Sequence, residues 1–123
     1  MIKHVDIVSI PVSDQAKARA FYADILGFEL VRDNPMGPDR RWVEVAPKGA
    51  QTSFTLVTWF KEMPAGSIRG IVLDTDNLES EVADLKRRGL VTSPIEQQPW
   101  GRFVTFDDPD GNGFVLQQAA PGA

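Results

Sequence analysis

The residues able to do chemistry in this chain are few and lie far apart. His4 is the single histidine and there is no cysteine, so thiolate metal sites, cysteine nucleophiles and disulfides are excluded. A lone imidazole could bind a metal or move a proton, but His4 lies near the chain start, where an exposed or edge-strand position is the plainer expectation. Asp74 ends a strand-like run; turned inward it could accept a hydrogen bond or act as a base, and turned outward it is a solvated turn residue. Glu44 sits in mid-strand and alternates with Trp42 and Ala46, with an outward charge as its plainer reading. No Gly-x-Ser-x-Gly elbow, serine–histidine pair or phosphate loop is present, and Gly111-Asn112-Gly113 lies between two strands, outside the strand-to-helix context of a dinucleotide site. No catalytic residue is predicted. The tryptophans are more suggestive. Trp59 ends a strand-like run and Trp100 lies in the loop Gln97-Gln98-Pro99-Trp100-Gly101-Arg102. Aromatic walls suit flat organic ligands, and Arg102, Arg40 or Arg41 could orient an anionic group on one. Tryptophan serves equally in cores and in interfaces.

The elements that must position these residues come as a unit repeated at about half the chain length. Val12-Ser13-Asp14 leads through a helix-like stretch to Leu26-Gly27-Phe28, and Asp74-Thr75-Asp76 leads through another to Arg88-Gly89-Leu90. Asp14 to Gly27 and Asp76 to Gly89 each span 13 residues, and the copies are offset by 62 (76 minus 14). Such a repeat implies two similar modules with a ligand site where modules face each other. In the first copy, residues 4–12 are rich in β-branched residues and predict a strand ending at Pro11. Ser13 or Asp14 can cap the helix that follows. Ala18, Phe21, Tyr22, Ile25 and Leu26 form its apolar face, and Gly27 can end it in a left-handed conformation. Three strands follow at 28–32, 41–46 and 52–60, separated by turn-rich segments. Residues 61–67 read as a linker. The second copy begins with a strand at 68–74. Its helix starts at Asp76, with Glu79 as a capping-box partner, and buries Leu78, Val82 and Leu85. A short strand near 91–96 precedes a hairpin of 102–106 and 114–118, turned by Pro109 and Gly111. Each half is therefore β-α-β-β-β.

Bulk properties narrow the function classes. With 123 residues and a net charge of -4, the chain has the size of one domain and lacks the basic face that a nucleic-acid partner requires. No apolar run approaches the ~18 residues of a membrane span, and the start passes straight into strand-like sequence, which predicts no signal peptide. A soluble cytoplasmic protein is expected.

Val12-Ser13-Asp14, Phe21-Tyr22 with Leu26-Gly27-Phe28, and Asp108-Pro109-Asp110-Gly111-Asn112 together resemble the vicinal oxygen chelate superfamily, which includes glyoxalase I, bleomycin-resistance proteins and extradiol dioxygenases. The resemblance implies an α+β fold: two βαβββ modules forming a curved mixed sheet around a central cleft, helices outside. It implies a single domain over 1–123, with module 1 at 1–60 and module 2 at 68–123. The modules pairing around the cleft belong either to one chain or to two, and the resemblance implies a homodimer. Metal-dependent members hold His, Glu or Gln at four inward positions, which map by spacing onto Ile7, Thr55, Gly70 and Val115. None of the four is a competent ligand, and among their neighbours only Asp6 could bind a metal. No metal and no cofactor are therefore expected. The leading expectation is a metal-free protein that sequesters or recognises a small organic molecule, as the bleomycin-resistance proteins do. Its cleft would be lined by Ile7, Ser9, Thr55, Val57, Trp59, Gly70, Val72 and Val115, with Trp100 and Arg102 at the mouth. Two alternatives stay open: a glyoxalase- or dioxygenase-type enzyme with a displaced metal site built from Asp6, Glu44, Asp74 or His4, and a non-catalytic dimerisation or regulatory domain with the cleft packed shut.

Overall fold

The structure, a computed structural model, describes residues 1–121. Strand β1 (Ile7–Pro11) leads through helix α1 (Gln15–Ala20) and a π-helical turn (Phe21–Ile25) to β2 (Glu29–Pro35), β3 (Arg41–Ala46) and β4 (Ser53–Val57). The second half repeats the order with β5 (Ile71–Asp74), helix α2 (Leu78–Arg87), β6 (Glu96–Gln98), β7 (Gly101–Asp107) and β8 (Gly113–Ala119). The strands form two four-stranded sheets, β1-β4-β3-β2 and β5-β8-β7-β6. In each, the first and last strands of the module pair in parallel and the other pairs are antiparallel. The two βαβββ modules and the α+β class are as the sequence predicts.

Several boundaries differ for local reasons. The first-module helix is capped by Asp14, whose carboxylate accepts from the Lys17 amide at 3.0 Å. The second is capped by Asn77, which accepts from the Ser80 amide at 3.1 Å, so Asp76 stands one residue outside and the expected capping box with Glu79 does not form. Strand β5 starts at Ile71 instead of residue 68 because Gly70 adopts a positive φ of 78°, which breaks the extended run. Strand β4 stops at Val57, short of Trp59, and β6 lies later than the expected 91–96.

Alternation along the strands separates a core face from an open face on each sheet. Val8, Ile10, Phe54, Leu56, Val43 and Val45 of the first module share one apolar cluster with Ile71, Leu73, Val104, Phe106, Phe114 and Leu116 of the second. The sheets meet through these faces with the helices between them. The Tyr22 ring, in the π-helical turn after α1, packs edge-on against Phe114 at 6.0 Å and also contacts Phe28, which stacks on Phe54. Leu26 and Phe28, next to the outer strand β2, line a cavity of about 240 Å³ together with Phe106 and Leu116. Phe54 of β4 and Phe114 of β8, from inner strands of the two sheets, thus lie in one cluster with Tyr22 and Phe28 bridging them, so the sheets are stacked through their core faces. Within one chain the open faces therefore look away from each other.

A buried polar network ties the modules together. The Asp108 carboxylate accepts from the Tyr22 hydroxyl at 2.7 Å, from the Asn112 side chain and amide, both at 2.8 Å, and from the Asp110 amide at 3.0 Å. Asn112, fully buried, also donates to the Pro11 carbonyl at 2.8 Å and accepts from the Ile68 amide at 3.1 Å. The Asp-Pro-Asp-Gly-Asn run thus fastens β1, α1 and the start of the second module at one point.

Candidate functional site

The face of the first sheet turned away from the shared core, its open face, carries Ile7, Ser9 and Pro11 from β1, Ser53, Thr55 and Val57 from β4, and Trp42 and Glu44 from β3; Ile7, Ser9 and Trp42 reach solvent and the other five are buried. Register puts Ile7 opposite Ser53, Ser9 opposite Thr55, and Thr55 opposite Glu44. Ser9 Oγ and Thr55 Oγ1 are 3.3 Å apart. Glu44 is only 6% exposed; it accepts from Trp42 Nε1 at 2.9 Å and from the Ser53 hydroxyl at 2.7 Å. Burial works against its ionisation, but the bonds from Ser53 and Trp42 and the charge of Arg32 outweigh burial and hold its carboxyl below the ordinary glutamate range. The outward, solvated reading of Glu44 is thereby corrected: partners on its own and the neighbouring strand satisfy the buried charge.

The open face of the second sheet is more apolar. Val72 (55% exposed) and Val115 are register partners, and Val115 faces Thr105 on β7. Phe103 lies on the same face, and the ring of Trp100 stacks on it at 5.5 Å.

Of the expected cleft residues, Ile7, Ser9, Thr55 and Val57 fall on one open face, and Val72 and Val115 on the other, with Trp100 beside the latter. Three are placed differently. Trp59 lies beyond the end of β4, half-buried, with the Arg40 guanidinium 5.5 Å above its ring. Gly70 precedes β5, and a side chain there would meet open space. Arg102 shares the parity of Val104 and Phe106, so it lies on the helix side of its sheet, where it donates to Glu79 of α2 at 2.5 Å and to Gln118 at 3.3 Å. It is a clamp on α2 and does not line the open face. Arg41 is engaged as well, by Asp33 at 2.5 Å. Sequence reasoning missed Glu44 and Ser53 as members of the face. The available signal was the match of Trp42, Glu44 and Ala46 in parity, which needed the β3–β4 register to assign a side.

The superfamily model described as Glyoxalase/Bleomycin resistance protein/Dioxygenase matches residues 2–116. The chain belongs to this superfamily. It is 49% identical to TnmS3, an antibiotic binding protein from Streptomyces sp. CB03234, over 97% of this chain and 98% of that one, with a TM-score of 0.91. A superfamily member from Sphaerobacter thermophilus is 41% identical over 95% and 98% of the two chains, with a TM-score of 0.86. The uncharacterized protein YetH of Bacillus subtilis is 39% identical over 96% of this chain and all of that protein.

Many members of the glyoxalase superfamily use a divalent metal, so the donor set matters. Ile7, Thr55, Gly70 and Val115 offer one hydroxyl, already paired with Ser9, and no imidazole or carboxylate. The residues of the alternative, displaced metal site are separated. His4 and Asp6 lie 3.9 Å apart in the exposed segment before β1, Glu44 is on the first sheet, and Asp74 is exposed on the second. Among the described residues no group of three or more metal-capable side chains occurs. These residues do not fit the superfamily's metal. No described helix is long and apolar enough to cross a membrane.

Proposed function

We propose that this chain binds a small organic molecule, of the antibiotic-like class bound by TnmS3, in a cleft between the open face of the first sheet of one protomer and the open face of the second sheet of another. The observation carrying this reading is the outward direction of both open faces, which leaves Ser9, Thr55 and Glu44 on one side and Val72, Val115, Phe103 and Trp100 on the other without a facing module in the same chain. A second copy, related by a two-fold axis, supplies one and creates two equivalent clefts. The lining is mostly apolar with a few polar groups, which suits sequestration of a ligand without a metal. The protein would act as a cytoplasmic homodimer that holds the molecule away from its target.

Light scattering and native mass spectrometry test this together. A dimer that takes up two molecules from a panel of polycyclic aromatic antibiotics, with quenching of tryptophan fluorescence, is the expected result. A strict monomer at the highest concentration used, or near-stoichiometric metal surviving dialysis, would sink the proposal. Replacing Val115 with Trp should close the cleft and abolish uptake.

A further inference from the structure

The strand registers align four polar residues across the whole first sheet. Ser9 on β1 faces Thr55 on β4, Thr55 faces Glu44 on β3, and Glu44 faces Arg32 on β2. Apolar Ile7, Val57, Pro11 and Trp42 flank this row on the same face. Glu44 is the unusual member. A buried carboxylate that serves the fold looks like Asp108, whose partners tie together segments as much as 86 residues apart. The partners of Glu44 lie two and nine residues away, on strands the backbone ladder already joins, so its charge holds nothing that the sheet does not hold. A carboxylate offers about four acceptor positions; two are used by Trp42 and Ser53, and acceptor capacity is left over.

We propose that Glu44, with Ser9 and Thr55 beside it, is the specificity-determining anchor of the cleft and takes a hydrogen-bond donor of the ligand, a hydroxyl or ammonium group carried on an apolar aromatic body. This rests on the cleft reading above. The physical argument is desolvation. Glu44 keeps only 6% of its surface exposed; closing the cleft over that edge with a wholly apolar ligand removes the remaining access of water to an ionised group and returns nothing. A ligand O–H or N–H replaces that water with a charge-assisted bond. Ser9, the partly buried end of the row, can orient the same group through its hydroxyl.

The test uses the full chain and three probes of nearly one shape: naphthol, naphthylmethylamine and methoxynaphthalene. Affinities are read by calorimetry for wild type, Glu44→Gln and Ser9→Ala. In wild type the two donors should bind about 10- to 100-fold more tightly than the ether, the range for a hydrogen bond to a charged group. Glu44→Gln should bring the donors to within a few-fold of the ether, by weakening the donors and tightening the ether, which no longer covers an unpaired charge. Equal affinities in wild type, or selectivity that survives in Glu44→Gln, would overturn the inference and leave the cleft reading standing. Binding of no probe to wild type would count against the cleft reading itself, and this inference would fall with it. Should Glu44→Gln not fold, the wild-type ratio and Ser9→Ala, expected to lose a few-fold for the donors alone, still decide.

Discussion

Tyr22→Phe isolates one bond of the network that joins the modules, and its cost can be worked from the structure. The substitution removes only the hydroxyl. The ring keeps its contacts with Phe21, Phe28 and Phe114, and Asp108 Oδ2 keeps the Asn112 side chain as a donor. Both Tyr22 and Asp108 are buried, at 0% and 5% exposure, so water cannot replace the lost partner. A hydrogen bond to a charged acceptor contributes roughly 1.5–3 kcal/mol, which predicts a loss of about 2 kcal/mol and a fall in Tm of roughly 6–10 °C for a chain of this size. The assay is urea unfolding at fixed protein concentration, so that any dimer contributes equally, with Asp108→Asn and the double variant completing a cycle. A loss below about 0.5 kcal/mol for Tyr22→Phe, or full additivity in the cycle, would refute the network as a stabilising junction. The same bond has a pH signature. Burial first, then the Asp108 charge and its hydrogen bond, push the Tyr22 phenol far above its ordinary value. A group whose folded value is raised loses its contribution once pH exceeds its unfolded value, about 10 for tyrosine. Tyr22 is the only tyrosine, so tyrosinate absorbance should stay absent above that pH until the chain unfolds. Its appearance in folded protein would contradict the burial argument.

Three further outcomes are expected. Gly66 has φ +83° and a Cβ there would lie 2.1 Å from the Asp110 carbonyl oxygen, whereas Gly70 has a similar φ of +78° and open space. Gly66→Ala should therefore cost more than about 2 kcal/mol and Gly70→Ala only about 1 kcal/mol, the backbone part alone, by chemical denaturation. Arg102→Ala should leave ligand affinity unchanged, because the residue lies on the helix side, and should cost at most about 1 kcal/mol in stability, since Glu79 is largely exposed. Asp33 is held below the usual carboxylate range, chiefly by its bond to Arg41 and then by Arg19. Its contribution is present above the unfolded value near 4 and is lost as pH falls through the lower folded value. Asp33→Asn should flatten that acid limb of the stability curve by about 1 kcal/mol or less, given the exposure of both arginines.

Much of the frame is legible in the sequence because its signals are local. Gly27, Gly89 and Gly111 each take the positive φ that a helix stop or turn demands, and the apolar spacing of Ala18, Tyr22 and Leu26 places all three in the core. The sidedness of the site is legible only in part. Parity within β1 and β4 groups Ile7 with Ser9 and Thr55 with Val57 correctly, since each strand runs straight through those pairs. Parity fails where a strand ends early, as at Trp59, or starts late, as at Gly70. It is silent where the side depends on register, and this is why Arg102 was expected at the cleft mouth, whereas it lies on the helix side of β7, and why an outward charge was the plainer reading of Glu44. No local pattern states that the two modules stack through their helix sides, because that follows from the long-range contact of Tyr22 with Phe114 and Asp108.

This division of labour has a consequence for how such a fold can change its ligand. The junction uses Asp108, Asn112, Tyr22 and the carbonyl of Pro11, all directed to the core side or to the turn between β7 and β8. The open faces contribute to it only the backbone of β1. Replacing Ile7, Thr55 or Val115 therefore changes a surface that carries no cross-module bond, and its cost in stability is limited to local packing. Of the four positions matched to the ligands of metal-dependent relatives, Ile7, Thr55 and Val115 sit on this surface and Gly70 just before β5, so the ligands can be absent without loosening the frame. Glu44 marks the limit of that freedom. Its charge is compatible with burial only while Trp42 and Ser53 donate to it, so a change at either residue should disturb the carboxylate before it disturbs the fold. Trp42→Phe would thus weaken binding of a donor-bearing probe more than it lowers Tm, and the opposite ranking would assign the Trp42–Glu44 pair to the fold and not to the ligand.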